Sequence, residues 1–372
     1  MEQKKIEKEK EYLYWLCQIP GIGAVSMARM WELLGSFERI YNIEGTRLVD
    51  MGILPRKAGG AFDRWKGKLG EERKRYGELK ERGIRFVSVM DGEYPRRLRS
   101  IYDFPMALYV KGRLPEDTVP SAAIIGARNC TSYGRQVARM LGKRLGEAGI
   151  QIISGMALGI DGAGHQGALD GKGSTFAVLG SGVDVCYPRS HWPLYCQIPE
   201  KGGILSEFPV GEQALPQHFP MRNRIISGLA DAIVVVEARE RSGSLITADL
   251  GLEQGKEIFA VPGMITGPLS LGCNQLIRQG ASVVTAAEDI LEFFRLNEKQ
   301  NLKLGENNEN GLVKKEKMLY SCLDFQPKYF DQVVVESGLP VEEVMCLLTE
   351  LEWKGLILQP DSHYYVKKCK AQ

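Results

Sequence analysis

Between Ser121 and about Leu296 the sequence keeps one rhythm: short runs of apolar β-formers, each followed by a stretch with helical spacing. Uninterrupted apolar runs suit strands buried on both faces. Strands separated by helix-sized stretches require crossover helices, so this segment is expected to form a mostly parallel sheet of α/β type. The expected strands are Ala122–Ile125, Gln151–Ile153, Thr175–Leu179, Ile204–Leu205, Ala232–Val236, Glu257–Ala260 and Ser282–Val284. Helices are expected near Tyr133–Ala148, Ile160–Leu169, His191–Ile198, Met221–Gly228, Ser244–Glu253 and Asn274–Gln279.

The flanks have other patterns. From Glu11 to about Val110 apolar residues recur at helical spacing, broken by Gly21-Ile22-Gly23, Gly52, Pro55 and Gly59-Gly60. Residues Asn297–Asn310 (NEKQNLKLGENNEN) are polar and lack aromatics, a composition that cannot bury a core and reads as a flexible linker. Helical spacing resumes over Glu316–Lys368 and ends in Leu356-Ile357-Leu358, a Gln-Pro-Asp-Ser turn and Tyr364-Tyr365-Val366, the outline of a small winged helix. A chain of 372 residues exceeds one small core. The expected division is a helical domain over 1–110, a Rossmann-like domain over 111–296, a linker over 297–315 and a winged helix over 316–372.

Charge and cysteine usage exclude several classes. A net charge of +2 rules out a uniformly basic, histone-like binder, so any nucleic-acid site must be a local patch. The eight cysteines, scattered from Cys17 to Cys369, form no C-x-x-C pair. With only four histidines there is no zinc pattern, and no disulfide framework is expected; neither metal nor cofactor is called for. Scattered thiols point to a reducing compartment. The start Met1-Glu2-Gln3-Lys4-Lys5 lacks a signal-peptide pattern, and runs such as Ala232–Val236 are far too short to span a membrane. A soluble, cytoplasmic protein is expected.

The strongest local motif is Ile124-Ile125-Gly126-Ala127-Arg128-Asn129-Cys130-Thr131-Ser132-Tyr133-Gly134. A strand enters a glycine turn, and Thr131 or Ser132 can cap the following helix. Free N–H groups at such a helix start attract phosphate, and Arg128 adds a planar donor fork. The dinucleotide fingerprint G-x-G-x-x-G is absent, because Arg128 occupies its second-glycine position, which weighs against an NAD site. The plain alternative is an arginine tied to a nearby carboxylate.

Three more strand ends repeat the theme. They are Ser154-Gly155-Met156-Ala157-Leu158-Gly159-Ile160-Asp161, then Gly180-Ser181-Gly182-Val183-Asp184, and Ser242-Gly243-Ser244-Leu245-Ile246-Thr247. A glycine after a strand is often only a tight turn, but four at one carboxyl edge mark where open α/β sheets bind ligands. Arg189, in Tyr187-Pro188-Arg189-Ser190-His191, and Arg222-Asn223-Arg224, at a helix start, add cations. Arginine opposes the helix dipole there, so each needs an anion, either a ligand or one of Asp161, Asp184, Glu207 and Glu237. Arg128 and Arg189 are the better phosphate candidates. No histidine belongs to a nucleophile elbow or a metal pair, so no catalytic residue is expected.

Taken in order over about 170 residues, these blocks, with Arg222-Asn223-Arg224-Ile225-Ile226-Ser227-Gly228 and Val261-Pro262-Gly263, resemble the DNA-processing protein A family (DprA, also called Smf). The resemblance implies a dimeric, Rossmann-like, non-enzymatic protein. It would bind incoming single-stranded DNA during natural transformation and pass it to the recombinase RecA in competition with single-strand-binding protein. The nucleic-acid residues so implied are Gly126, Arg128, Thr131, Ser154, Gly155, Gly180, Arg189, Arg222, Asn223, Arg224, Ser242, Gly243 and Ser244. Gly272–Val283 resembles the family's dimerisation region, placing Asn274 (where some relatives carry His), Leu276, Ile277 and Val283 in an interface.

Ile19-Pro20-Gly21-Ile22-Gly23 followed by Ala24–Leu34 looks like a helix-hairpin-helix unit, more often a sterile α-motif-like packing module than a DNA contact. Val341–Trp353 carries Glu342, Glu343, Glu350 and Glu352, which argues for protein contact over groove binding. The rival from another class is a nucleotide-processing Rossmann enzyme of the phosphoribohydrolase type, whose G-G-x-G-T followed by a catalytic Glu is missing here.

Overall fold

A computed structural model describes residues 2–294, 314–323, 328–354, 356–361 and 363–367. The chain begins with helices α1 (Glu2–Cys17), α2 (Ala24–Leu34), α3 (Phe37–Asn42), α4 (Gly45–Asp50), α5 (Arg56–Lys66) and α6 (Leu69–Glu78). Then come β1 (Arg85–Ser88), α7 (Arg96–Arg99) and β2 (Ala107–Gly112). Strict alternation follows, through β3 (Ser121–Ile125), α8 (Ser132–Glu147), β4 (Gln151–Ser154), α9 (Ile160–Asp170), β5 (Thr175–Val178) and α10 (Trp192–Lys201). It continues through β6 (Gly203–Ser206), α11 (His218–Leu229), β7 (Ala232–Val235), α12 (Gly243–Glu253), β8 (Glu257–Ala260), α13 (Leu271–Arg278), β9 (Ser282–Val283) and α14 (Ala287–Phe293).

Each expected strand is present, with ends within about a residue of those read from the apolar runs. The strands form one sheet in the order β1-β2-β6-β5-β4-β3-β7-β8-β9. From β6 to β9 the ladder is parallel, while β1–β2 and β2–β6 are antiparallel. The chain leaves β3 toward β4, β5 and β6, then returns to the other side of β3 with β7, β8 and β9. Two loops therefore diverge above β3 and β7, opening a crevice at the carboxyl edge.

The expected helical domain over 1–110 needs correction, since its boundary falls inside β2 and residues 85–112 extend the sheet. Leu108, Tyr109 and Val110 are all buried. Such an unalternating run does not distinguish helix from strand by period. Nor do the N-terminal helices keep a core of their own. Trp15, Phe37 and Phe62 share one cluster with Phe86, Tyr109, Leu179 and Ile204 of the sheet region. Tyr14 bridges the two, its ring centroid 5.4 Å from Phe86 and 6.0 Å from Tyr109. Residues 1–294 thus form one unit. Gly21 (φ +84°) makes the turn between α1 and α2, and Gly23 starts α2 without a capping side chain.

The second unit has helices Lys314–Ser321, Phe330–Ser337 and Val341–Trp353. Its three strands run antiparallel in the order Lys328–Tyr329, Tyr364–Lys367, Ile357–Asp361. Leu319, Val333, Val344, Leu348, Leu351 and Ile357 form a separate core. This is the expected winged helix with one added short strand. Most of the expected linker 297–315 lies outside the described residues. No described helix is long and apolar enough to cross a membrane.

Candidate functional site

The crevice above β3 and β7 holds a cavity of about 600 Å³, lined among others by Arg128, Phe219, Asn223, Arg239, Gly243 and Ser244. Arg128 sits in the β3–α8 loop and is exposed. Its guanidinium carbon lies 4.7 Å from the ring centroid of Phe219, and the Tyr187 ring lies 5.6 Å from the same ring. No ion pair to Arg128 occurs among the described residues. A guanidinium on an aromatic face stays aimed while its outer donors remain free. Phe219 and Asn223 are one helical turn apart on α11, so both reach the crevice from one face.

The start of α8 differs from expectation. Thr131 is its N-cap, accepting from the Gly134 N–H at 2.9 Å. The carboxylate of Glu237, just after β7, accepts from the Thr131 N–H at 2.8 Å and from its hydroxyl at 2.5 Å. Glu237 is only 6% exposed, so this helix end is already occupied by a protein anion. Gly126 packs tightly beside it, where a side chain would run into Ile160 and the Glu237 carbonyl.

The start of α12 is the open one. Its N-cap Ser242 makes no side-chain capping bond to the helix, and the Ser242 and Ser244 hydroxyls are 2.7 Å apart. Gly243 has open space where a side chain would stand, and Asn223 donates its side-chain amide to the Gly243 carbonyl at 3.3 Å. Unclaimed N–H groups and two hydroxyls therefore face the cavity that holds Arg128.

Several expected contacts turn inward instead. Ser154 is fully buried and donates to the Ile124 carbonyl at 2.6 Å. The Gly155 N–H donates to Asp161 at 3.1 Å, and the buried Gly180 accepts from His218 at 3.2 Å. Arg222 is 4% exposed and donates to the carbonyls of Gly155 (2.8 Å) and Val178. Burial pulls its pKa down to about 10, against the nearby Asp161 carboxylate. Burial likewise raises the pKa of Asp161, and Arg222 works against that shift. Arg224 is held by Glu207, at 2.8 and 2.7 Å, and by Asp103 at 2.9 Å. Residues two apart on a helix point to different sides, which sends the Arg222 and Arg224 side chains to different partners, while the Asn223 side chain reaches the start of α12.

Arg189 is exposed on the turn Arg189–His191 and lines a neighbouring cavity of about 610 Å³ with Trp192 and Asp184. Tyr187 borders both cavities. Of the expected dimer residues, Leu276 is 5% exposed within the chain's own core, where it cannot serve a partner. Asn274 exchanges two hydrogen bonds with the backbone of Gly263, at 3.1 and 3.2 Å. Ile277 is half-buried, and Val283 is 43% exposed on the edge strand β9. Glu237, Phe219 and Arg239 were not expected as site residues. The one-turn spacing of Phe219 and Asn223 was the available signal for Phe219.

Among the described residues no cluster of His, Cys, Asp and Glu could hold a metal ion. The model of the family described as DNA recombination-mediator protein A matches residues 85–295, and that of the DprA winged helix domain matches 306–360. The chain is 40% identical over 278 residues to Protein Smf of Escherichia coli K12, covering 71% of this chain and 72% of that protein. It is 44% identical over 207 residues to the DNA processing protein DprA of Streptococcus pneumoniae R6, covering 56% and 73%. The X-ray structure of DNA processing protein A from S. pneumoniae superposes with a TM-score of 0.67 at 34% identity, covering 76% of this chain and 97% of that one. A Helicobacter pylori DNA processing protein A, solved to describe its single-stranded DNA binding mode, gives 0.51 at 26% identity, covering 57% and 97%. A mostly parallel sheet with its crevice at β3 and β7, a winged helix after it, and family models that match both regions lead to one assignment: the chain belongs to the DprA/Smf family of DNA recombination-mediator proteins.

Proposed function

We propose that this chain binds single-stranded DNA in the crevice between β3 and β7 and acts as a non-catalytic mediator, delivering the strand to a RecA-type recombinase in the cytoplasm during natural transformation. The observation that carries this reading is the pairing in one cavity of Arg128, exposed and aimed by Phe219, with the open N-terminus of α12. A strand phosphate fits between a cation and free N–H groups. Phe219 and Tyr187 offer faces on which an unpaired base can stack, which a duplex cannot provide. Backbone N–H groups and arginines read phosphate, so sequence preference is weak. Arg239 and Arg189, both exposed, extend the positive surface to either side.

A second copy is proposed to pair through the α13–β9 edge, where Val283 is exposed and Ile277 half-buried. The test of the central reading is a gel shift with single- and double-stranded oligonucleotides of the same sequence. The single strand is expected to bind with clear preference, and equal binding to both forms would overturn the reading.

A further inference from the structure

We propose that Glu237 is a positioning residue for Arg128: its carboxylate fills the N-terminus of α8, fixes the β3–α8 loop and directs the strand's phosphate to α12. The proposal rests on the single-strand reading above and adds to it the device that aims the arginine.

Glu237 holds this loop at both ends. Its backbone carbonyl accepts from the Ala127 N–H at 2.7 Å, immediately before Arg128. Its carboxylate accepts from Thr131, three residues later, by two bonds. The hydroxyl of Thr131 in turn accepts from Gly134, so the carboxylate is coupled to the first turn of α8. A side chain at Gly134 would overlap the Glu237 carboxylate, so glycine there leaves the space that the carboxylate needs.

No Lys, Arg or His pairs with Glu237 among the described residues. Its charge is met by N–H and O–H donors and by the positive end of a 16-residue helix. A phosphate brought to α8 would face a buried carboxylate at hydrogen-bonding distance from the same donors, and like charges repel. The start of α12, which borders the same cavity, has no such plug. Glu237 thereby chooses between two helix ends and holds Arg128 next to the one left open.

The test is a double-mutant cycle on the full chain, with fluorescein-labelled oligothymidylate as probe and a thermal melt on every preparation. Glu237→Gln keeps the shape but turns one acceptor into a donor. It should weaken binding about tenfold when Arg128 is present and by less than about twofold in the Arg128→Ala background. Thr131→Val removes the hydroxyl bond of the same tie, leaving the backbone N–H bond, and should show a smaller loss with the same dependence on Arg128. It also decides the matter should Glu237→Gln fail to fold. Slower hydrogen exchange of the Thr131 and Gly134 amides in wild type than in Glu237→Gln is expected from the bonds described.

A folded Glu237→Gln or Thr131→Val protein that binds like wild type would overturn the proposal. So would an equal loss with and without Arg128, which marks a general structural role. If Arg128→Ala alone leaves binding unchanged, the single-strand reading of this crevice fails first and takes the proposal with it.

Discussion

Arg222 donates to two backbone carbonyls and is 4% exposed, whereas Arg128 is exposed and rests on the ring of Phe219. Their substitutions should therefore separate cleanly. Arg128→Ala should cost about 1.5–3 kcal/mol of binding, roughly ten- to hundredfold, with little change in melting temperature. Arg128→Lys should recover part of that loss, since charge survives and the fork does not. Arg222→Ala should act on the fold, costing on the order of 3 kcal/mol of stability because buried carbonyls lose their donor. Binding isotherms and thermal melts on the same preparations check all three. A residue of a different kind makes the fold sensitive to acid. The hydroxyl of the buried Thr175 donates to the Ile152 carbonyl, so His165 donates from Nδ1, and its buried Nε2 has no partner to receive a second proton's charge. Burial lowers the His165 pKa to about 3. Below the unfolded value of about 6.5 the unfolded chain binds the extra proton, so stability falls as pH drops through this window, by up to ~1.4 kcal/mol per pH unit. His165→Leu should flatten urea-melt stability between pH 6.5 and the acid range, relative to wild type. An unchanged slope would show that other groups set it.

At the scale of elements, the parallel strands were legible because burial on both faces writes them as apolar runs, and the glycine turns after them pointed to the edge where the crevice opens. The roles of individual turns were less legible. Gly126, Gly155 and Gly243 look alike in sequence, yet the first is packed against Glu237, the second gives its N–H to Asp161, and only the third has open space where a side chain would stand. Asp161 closes the second turn from within its own motif, but the carboxylate that closes the first, Glu237, comes from more than a hundred residues away, which local pattern cannot show. Gly243→Asp isolates this point, since there is room for the side chain. An acid in the first turn should stabilise α12 by about 0.3–1 kcal/mol while repelling the phosphate. The expected outcome is a melting temperature equal to or above wild type with weaker single-strand binding; unimpaired binding would remove α12 from the site. The residues expected at a dimer interface divide in the same way. Leu276→Glu should destabilise the fold itself because its side chain lies in the core, whereas Val283→Glu should lower the mass seen by light scattering and leave the melt of each protomer nearly intact.

For the whole molecule, the winged helix was visible from a change of pattern after a polar stretch, but the N-terminal boundary was not. Residues 85–112 join the sheet as antiparallel strands, and long-range pairing of this kind leaves no local trace in Met106-Ala107-Leu108-Tyr109-Val110. The consequence is an asymmetry between the two ends of the chain. Removing residues 1–84 would strip Trp15, Phe37 and Phe62 from a core they share with Phe86 and Tyr109, so that truncation should melt well below the full chain. The C-terminal unit keeps its own core, and the crevice residues all lie in residues 1–294. Deleting Gly311–Gln372 should therefore leave a cooperatively melting protein that still binds a single strand. Salt dependence makes the comparison quantitative. If one protomer neutralises roughly five phosphates, the log–log slope for a single strand should be about −3.5. The truncated protein should give the same slope, because the cations of the crevice are unchanged. A markedly shallower slope in a truncation shown by circular dichroism to be folded would place part of the phosphate contact in the winged helix. The acidic outer face of Val341–Trp353 argues against that result, since Glu342, Glu350 and Glu352 are exposed there and would repel a strand.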